Sequence, residues 1–123
     1  MVKLSVIGTG YLGATHAAAM SSLGFEVIGI DVDPKKIELL RGGKVPFFEP
    51  GLEDLLLQEV KSGRLKFSTN FEDAKDCDIH FICVGTPQQK NSLAADLKYV
   101  DSAVDAIAPY AKSGSLIVGK STV

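Results

Sequence analysis

The sequence predicts a single α/β domain built on a doubly wound parallel sheet with helices on both faces. Three observations carry that expectation: five short runs rich in β-branched and apolar residues, helical stretches between them, and glycines or prolines at the joins. Right-handed crossovers then give the strand order 3-2-1-4-5. At 123 residues the chain matches the commonest domain size and buries enough surface to form a core without staples.

The elements follow in order. "VKLSVI", residues 2–7, is an apolar run stopped by glycine and reads as the first strand. From Tyr11 to Leu23, small residues (Ala14, Ala17, Ala18, Ala19) suit a helix lying close on a sheet, with Gly24 closing it. "FEVIGID" is the second strand. In "DPKKIELLRGG", Asp33 can cap a helix, Pro34 suits its first position and Gly42 ends it. "KVPFFEP" holds two prolines and is irregular. In "GLEDLLLQEVKSG" the helical period returns, with Leu52, Leu55, Leu56 and Val60 on one face. The mixed charges of residues 34–41 and 52–61 read as solvated helix faces. "RLKFST" is a more polar third strand near an edge, and "FEDAKD" a helical turn. "CDIHFICVG" is a nearly continuous apolar fourth strand, and a polar loop follows it. A helix runs from about Asp96 to Lys112, and "SLIVG" is the fifth strand.

Composition narrows the function classes. A net charge of −2 gives no general attraction to nucleic acid or to an anionic membrane. No apolar run approaches the ~20 residues that span a bilayer, and "MVKLSVIG" is not a signal peptide. The two cysteines, Cys77 and Cys83, have neither metal-ligand spacing nor a disulfide framework. A cytoplasmic, reduced domain without metal is expected. His16 and His80 lack a carboxylate at catalytic spacing and read as structural.

Gly8-x-Gly10-x-x-Gly13 lies between the first strand and the first helix. Gly8 permits a tight turn, Gly10 lets a pyrophosphate reach the backbone, and Gly13 lets the helix close on the strand. The helix N-terminus presents N–H groups and a positive dipole end to the phosphates. Asp31 comes 18 positions after Gly13, at the end of the second strand. A carboxylate there can accept both adenosine-ribose hydroxyls and repels a 2′-phosphate. Two like charges at 4 Å cost about 4 kcal/mol at an effective dielectric of 20, so NAD is expected over NADP. Lys36 is a nearby cation that could soften the repulsion. FAD-binding domains share the glycine spacing but usually carry glutamate at the ribose position. Methyltransferases use a similar crevice, with no pyrophosphate to require the spacing.

Two loops at strand ends complete the expected site. Val84, Gly85, Thr86 and Pro87 follow the fourth strand, facing the glycine turn at the point where strand order reverses. Lys120, Ser121 and Thr122 follow the fifth strand, where the nicotinamide half would lie.

"GTGYLG", "FFEPGLEDLL", "GRLKFSTN", "FICVGTP", "AADLKYV" and "KSTV" occur in the order seen in nucleotide-sugar dehydrogenases, and the chain resembles the UDP-glucose/GDP-mannose dehydrogenase family along its whole length. "ADL" and "KSTV" favour UDP-glucose over the GDP-mannose and UDP-N-acetylhexosamine relatives. The resemblance implies a Rossmann-type NAD-binding domain. Gly8, Thr9, Gly10, Tyr11, Leu12 and Gly13 would hold the pyrophosphate, with Asp31 and Lys36 at the adenosine ribose. Val84, Gly85, Thr86, Pro87 and Ser121 would contact the cofactor, and Thr122 would lie near the reaction centre in a supporting role. Glu49 is a signature position without an assigned chemical role.

The resemblance also implies a primary alcohol oxidised to an acid in two hydride transfers, UDP-glucose giving UDP-glucuronate, through a cysteine-bound thiohemiacetal and thioester. Cys77 and Cys83 read instead as small packing residues; the family's nucleophile, its lysine and asparagine, and its sugar-nucleotide pocket lie further downstream. The chain ends just past the fifth strand, where this fold normally continues to a sixth. It is therefore expected to be the N-terminal part of a larger homo-oligomeric enzyme, inactive by itself. A stand-alone NAD-binding or redox-sensing module would share all these residues.

Overall fold

The computed structural model describes residues 2–45, 49–84 and 98–119. Strand β1 (Lys3–Ile7) leads into helix α1 (Tyr11–Ser22), β2 (Glu26–Ile30) and α2 (Pro34–Arg41). Helix α3 (Leu52–Ser62) precedes β3 (Leu65–Ser68), a 3₁₀ turn (Phe71–Ala74) and β4 (Ile79–Ile82). Helix α4 (Lys98–Ile107), a second 3₁₀ turn (Ala108–Tyr110) and β5 (Leu116–Gly119) follow. The strands pair in the order β3-β2-β1-β4-β5, and every pairing is parallel. This is the expected 3-2-1-4-5 order, and β3 is an edge strand as expected.

The central strand β1 is buried from Leu4 to Ile7, because a parallel sheet is covered on both sides. Alternation divides its side chains between two cores. Leu4 and Val6 join Val27, Leu65 and Phe67 beneath α1, α2 and α3. Ile7 joins Ile30, Ile82, Ala103 and Ile107 on the other side. Ala14, Ala17 and Ala18 of α1 are fully buried, so the absence of bulk lets this helix lie close to the sheet. Asp33 caps α2 by accepting from the Lys35 amide at 3.0 Å, with Pro34 at the first position; both signals act as the sequence indicated.

Four details differ from the sequence reading. Gly24 (φ 104°) lies one residue past the α1 cap, which is Leu23. The helix expected to reach Lys112 stops at Ile107, because Pro109 lacks an amide donor and tightens the chain into a 3₁₀ turn. Cys83 lies just beyond β4 rather than inside it, although it is buried. Finally, α3 is not solvated along its whole charged face. Glu59 is 1% exposed, accepts from Ser21 Oγ at 2.7 Å and pairs with Arg64 at 3.0 Å. That network joins α1 to α3 and to the start of β3.

No helix among the described residues is long and apolar enough to cross a membrane.

Candidate functional site

The carboxyl ends of β1, β2 and β4 meet at the glycine turn. The Gly8 amide donates to the Ile30 carbonyl at 2.7 Å, and the Cys83 amide to the Ile7 carbonyl at 2.7 Å. These bonds hold the three strand ends side by side. The three glycines answer to different demands. Gly8 has φ 94°, and a Cβ there would lie 2.9 Å from Val84 N and Cγ1. At Gly13 a Cβ would lie 1.7 Å from the Gly8 carbonyl oxygen, so α1 could not seat on the turn. Gly10 is different. Its φ of −73° is open to any residue, and a Cβ there would meet no protein atom within 4 Å. The fold needs Gly8 and Gly13; nothing in the described protein needs Gly10. The turn leaves open space at that point.

Helix α1 begins directly after Gly10. No side chain caps its N-terminus and its first turn holds no acidic residue, which leaves the positive end of the helix for an anion. Tyr11 opens the helix and is exposed, Leu12 is half-buried and Gly13 buried. The Glu49 carboxylate, hydrogen-bonded to the Tyr11 hydroxyl, raises the phenol's pKa above its ordinary value. The signature glutamate is thus brought to the first residue of α1.

Asp31 sits one residue beyond β2 and is nearly buried. Its Oδ2 accepts from the Thr9 amide at 2.8 Å and from Thr9 Oγ1 at 2.9 Å. Its Oδ1 accepts from the Asp33 amide at 3.0 Å, and Lys36 Nζ lies 3.6 Å from Oδ2. Burial favours the neutral acid. The Thr9 and Asp33 amides, the Thr9 hydroxyl and the Lys36 charge outweigh it and hold the pKa below the usual carboxylate value. Of about four acceptor positions on a carboxylate, these bonds fill three. The open acceptor capacity is therefore on Oδ1, a narrower offer than the acceptance of both ribose hydroxyls expected from sequence. Lys36 is brought to Asp31 as the sequence reading placed it.

Beside Asp31 lies an apolar cavity of about 180 Å³. Ile7, Gly8, Ile30, Val32, Phe71, Val84 and Ala103 are among its lining residues, and Val32 is 77% exposed at its edge. Val84 stands against Gly8, so the loop after β4 starts at the glycine turn. Gly85, Thr86, Pro87, Lys120, Ser121 and Thr122 lie outside the described residues.

The remaining candidates are packing residues. Burial pushes the Cys77 thiol up to about 11, which leaves almost no thiolate near neutral pH. His80 is fully buried and shares a 2.7 Å hydrogen bond with Ser5 Oγ, while the His16 ring meets Phe81 edge-on at 4.5 Å. Among the described residues no cluster of His, Cys, Asp and Glu could hold a metal ion.

The model of the UDP-glucose/GDP-mannose dehydrogenase family, NAD binding domain, matches residues 2–123. The chain belongs to this family. It is 48% identical over 102 residues to GDP-mannose 6-dehydrogenase of Pseudomonas aeruginosa, covering 82% of this chain and 23% of that protein. It is 42% identical over 123 residues to UDP-glucose 6-dehydrogenase YwqF of Bacillus subtilis, covering 99% and 28%. A solved UDP-glucose dehydrogenase from Pyrobaculum islandicum superposes with TM-score 0.92 at 42% identity, over 100% of this chain and 29% of that one. The chain spans about a quarter of the length of these relatives.

The cofactor of the family domain is NAD, and the residues present fit it. An ionised carboxylate follows β2, an open glycine precedes an uncapped helix N-terminus, and an apolar cavity adjoins both. This is the fingerprint of a dinucleotide site at the reversal of strand order.

Proposed function

We infer that this chain is the cofactor-binding part of a dehydrogenase that oxidises UDP-glucose to UDP-glucuronate, and that the chain alone performs no oxidation. The observation that carries the reading is Gly10, a glycine with open space where a side chain would stand. A pyrophosphate lying against the Gly8–Gly13 turn and the start of α1 gives that space an occupant. Asp31 then takes an adenosine-ribose hydroxyl through Oδ1. Lys36 partly balances the charge, and the cavity edged by Val32 and Phe71 accepts the purine. Gly85, Thr86 and Pro87 extend the contact from Val84; Ser121 and Thr122 belong to the nicotinamide side, with Thr122 in a supporting role near the reacting carbon.

NAD, when bound, accepts hydride. Taking a primary alcohol to an acid removes two hydrides and adds one water oxygen, so each turnover reduces two NAD. The residues of this chain bind and orient the cofactor; the nucleophile and the sugar-nucleotide pocket belong to further chain. In this reading the whole enzyme is a soluble homo-oligomer. The choice of UDP-glucose rests on "ADL" before the last helix and "KSTV" after the last strand. GDP-mannose is the second reading, favoured by the 48% identity to a GDP-mannose 6-dehydrogenase.

NADH formation decides between them. A protein carrying this domain, given UDP-glucose, GDP-mannose or UDP-N-acetylmannosamine in turn, is expected to reduce NAD fastest with UDP-glucose. Faster turnover of GDP-mannose reverses the substrate assignment. The 123-residue chain is expected to form no NADH with any of them.

A further inference from the structure

Thr9 is the middle residue of Gly8-Thr9-Gly10, and its place in the loop suggests one more backbone donor for phosphate. The geometry gives it another task. Its side chain is fully buried and turned away from the outer face of the turn, with the hydroxyl on Asp31 Oδ2. Its amide is committed to the same oxygen. Its methyl faces Gly29, where a Cβ would come within 3.2 Å of Thr9 Cγ2. Two donors from one residue therefore converge on one carboxylate oxygen, while the Asp33 amide takes part of the other. A two-point attachment of this kind fixes the carboxylate plane as well as its position.

We propose that Thr9 is a positioning residue for cofactor selectivity, its hydroxyl locking the Asp31 carboxylate so that Oδ1 faces the ribose and the charge cannot swing away from a 2′-phosphate. Thr9 touches no part of the cofactor through its side chain and acts only through Asp31. Preference for NAD over NADP depends on a carboxylate that can neither rotate nor take up a proton when a second anion arrives. The threonine hydroxyl opposes both movements, since it bonds the ionised form. The Lys36 ammonium pulls the other way, because it offers a 2′-phosphate a partner 3.6 Å from the same oxygen. The lock on Asp31 then decides which of the two neighbours dominates.

The proposal rests on NAD being the ligand, and its test separates the two ideas. Dissociation constants for NAD and for NADP are measured by calorimetry on the wild-type chain and on Thr9→Val, Thr9→Ala and Thr9→Ser. Thr9→Val keeps the shape and the amide bond but removes the hydroxyl. Its NADP-to-NAD ratio of dissociation constants is expected to shrink about tenfold, the worth of one hydrogen bond to a charged group. Thr9→Ala adds no atom to the site and is expected to narrow the ratio likewise, even where Thr9→Val does not fold. Thr9→Ser keeps the hydroxyl and is expected to retain wild-type selectivity while losing stability with the methyl. In an Asp31→Asn background, Thr9→Val is expected to change the ratio no further. A wild-type ratio in Thr9→Val or Thr9→Ala, with only the melting temperature lowered, makes Thr9 a packing residue and overturns the proposal. A changed ratio in Thr9→Ser does the same. If the wild-type chain binds neither dinucleotide, it is the NAD assignment that fails.

Discussion

At the residue scale, the glycine turn separates what the fold requires from what a ligand requires. The motif gives Gly8 a tight turn, Gly10 a pyrophosphate approach and Gly13 helix packing, and the atoms around Gly8 and Gly13 match the two roles that belong to the fold. Gly10→Ala places its methyl in open space. It is expected to change stability by no more than about 1 kcal/mol, the difference between glycine and alanine at a helix cap. NAD binding is expected to weaken at least about tenfold, or 1.4 kcal/mol. Gly13→Ala drives a methyl into the Gly8 carbonyl and is expected to cost about 3 kcal/mol, the upper range for overpacking. Denaturant unfolding and calorimetry on both variants check this; a Gly10→Ala chain that binds NAD normally means that no pyrophosphate lies against that glycine. Asp31 was legible because it stands at a strand end at a known spacing. Its partner Thr9 was not, because the bond spans 22 positions of sequence and depends on how β1 and β2 come together.

At the element scale, β4 carries a neutral histidine into the sheet interior. Burial, and secondarily the positive charge of Lys112, hold the His80 pKa below its usual value. A depressed histidine pKa means that the unfolded chain takes up the proton first. The contribution is therefore complete above the ordinary histidine pKa of about 6.5 and is lost as pH falls from there through the lower folded value. The wild-type chain is expected to lose stability over that window, with a slope of at most about 1.4 kcal/mol per pH unit for one proton. His80→Asn should flatten the slope. Urea unfolding at several pH values reads this directly, and equal slopes in the two proteins contradict it. The Asp31 and Asp78 carboxylates, both with lowered values, add losses only in more acid solution.

The elements also show where sequence reading stops. Asp33 and Pro34 marked the start of α2 because capping is local. Glu59 looked like one charge on a solvated face, since its partners Ser21 and Arg64 are supplied by α1 and by the approach to β3. A buried carboxylate with both partners present is a tertiary fact, and removing either partner leaves it uncompensated.

On the scale of the whole molecule, the strand order was legible because alternating strands and helices leave few right-handed topologies. The sheet is not equally covered along its width. Leu116, Ile117 and Val118 of β5 are all exposed, whereas β1 is buried on both faces. The described part of the site sits at the buried end of this gradient, where the carboxyl ends of β1, β2 and β4 meet, and it is built largely from backbone ends and one fixed carboxylate. This part of the site is preformed. NAD should therefore bind the folded chain without large rearrangement and stabilise it by mass action. With NAD at ~100 times its dissociation constant the gain is about 2.7 kcal/mol.

Titration of the chain with NAD and with NADP in a calorimeter, paired with melting curves at saturating NAD, tests the NAD site most directly. The expected result is one NAD per chain, weaker binding of NADP, and a melting temperature that rises with NAD concentration. No heat of binding and no melting shift at millimolar NAD would contradict it.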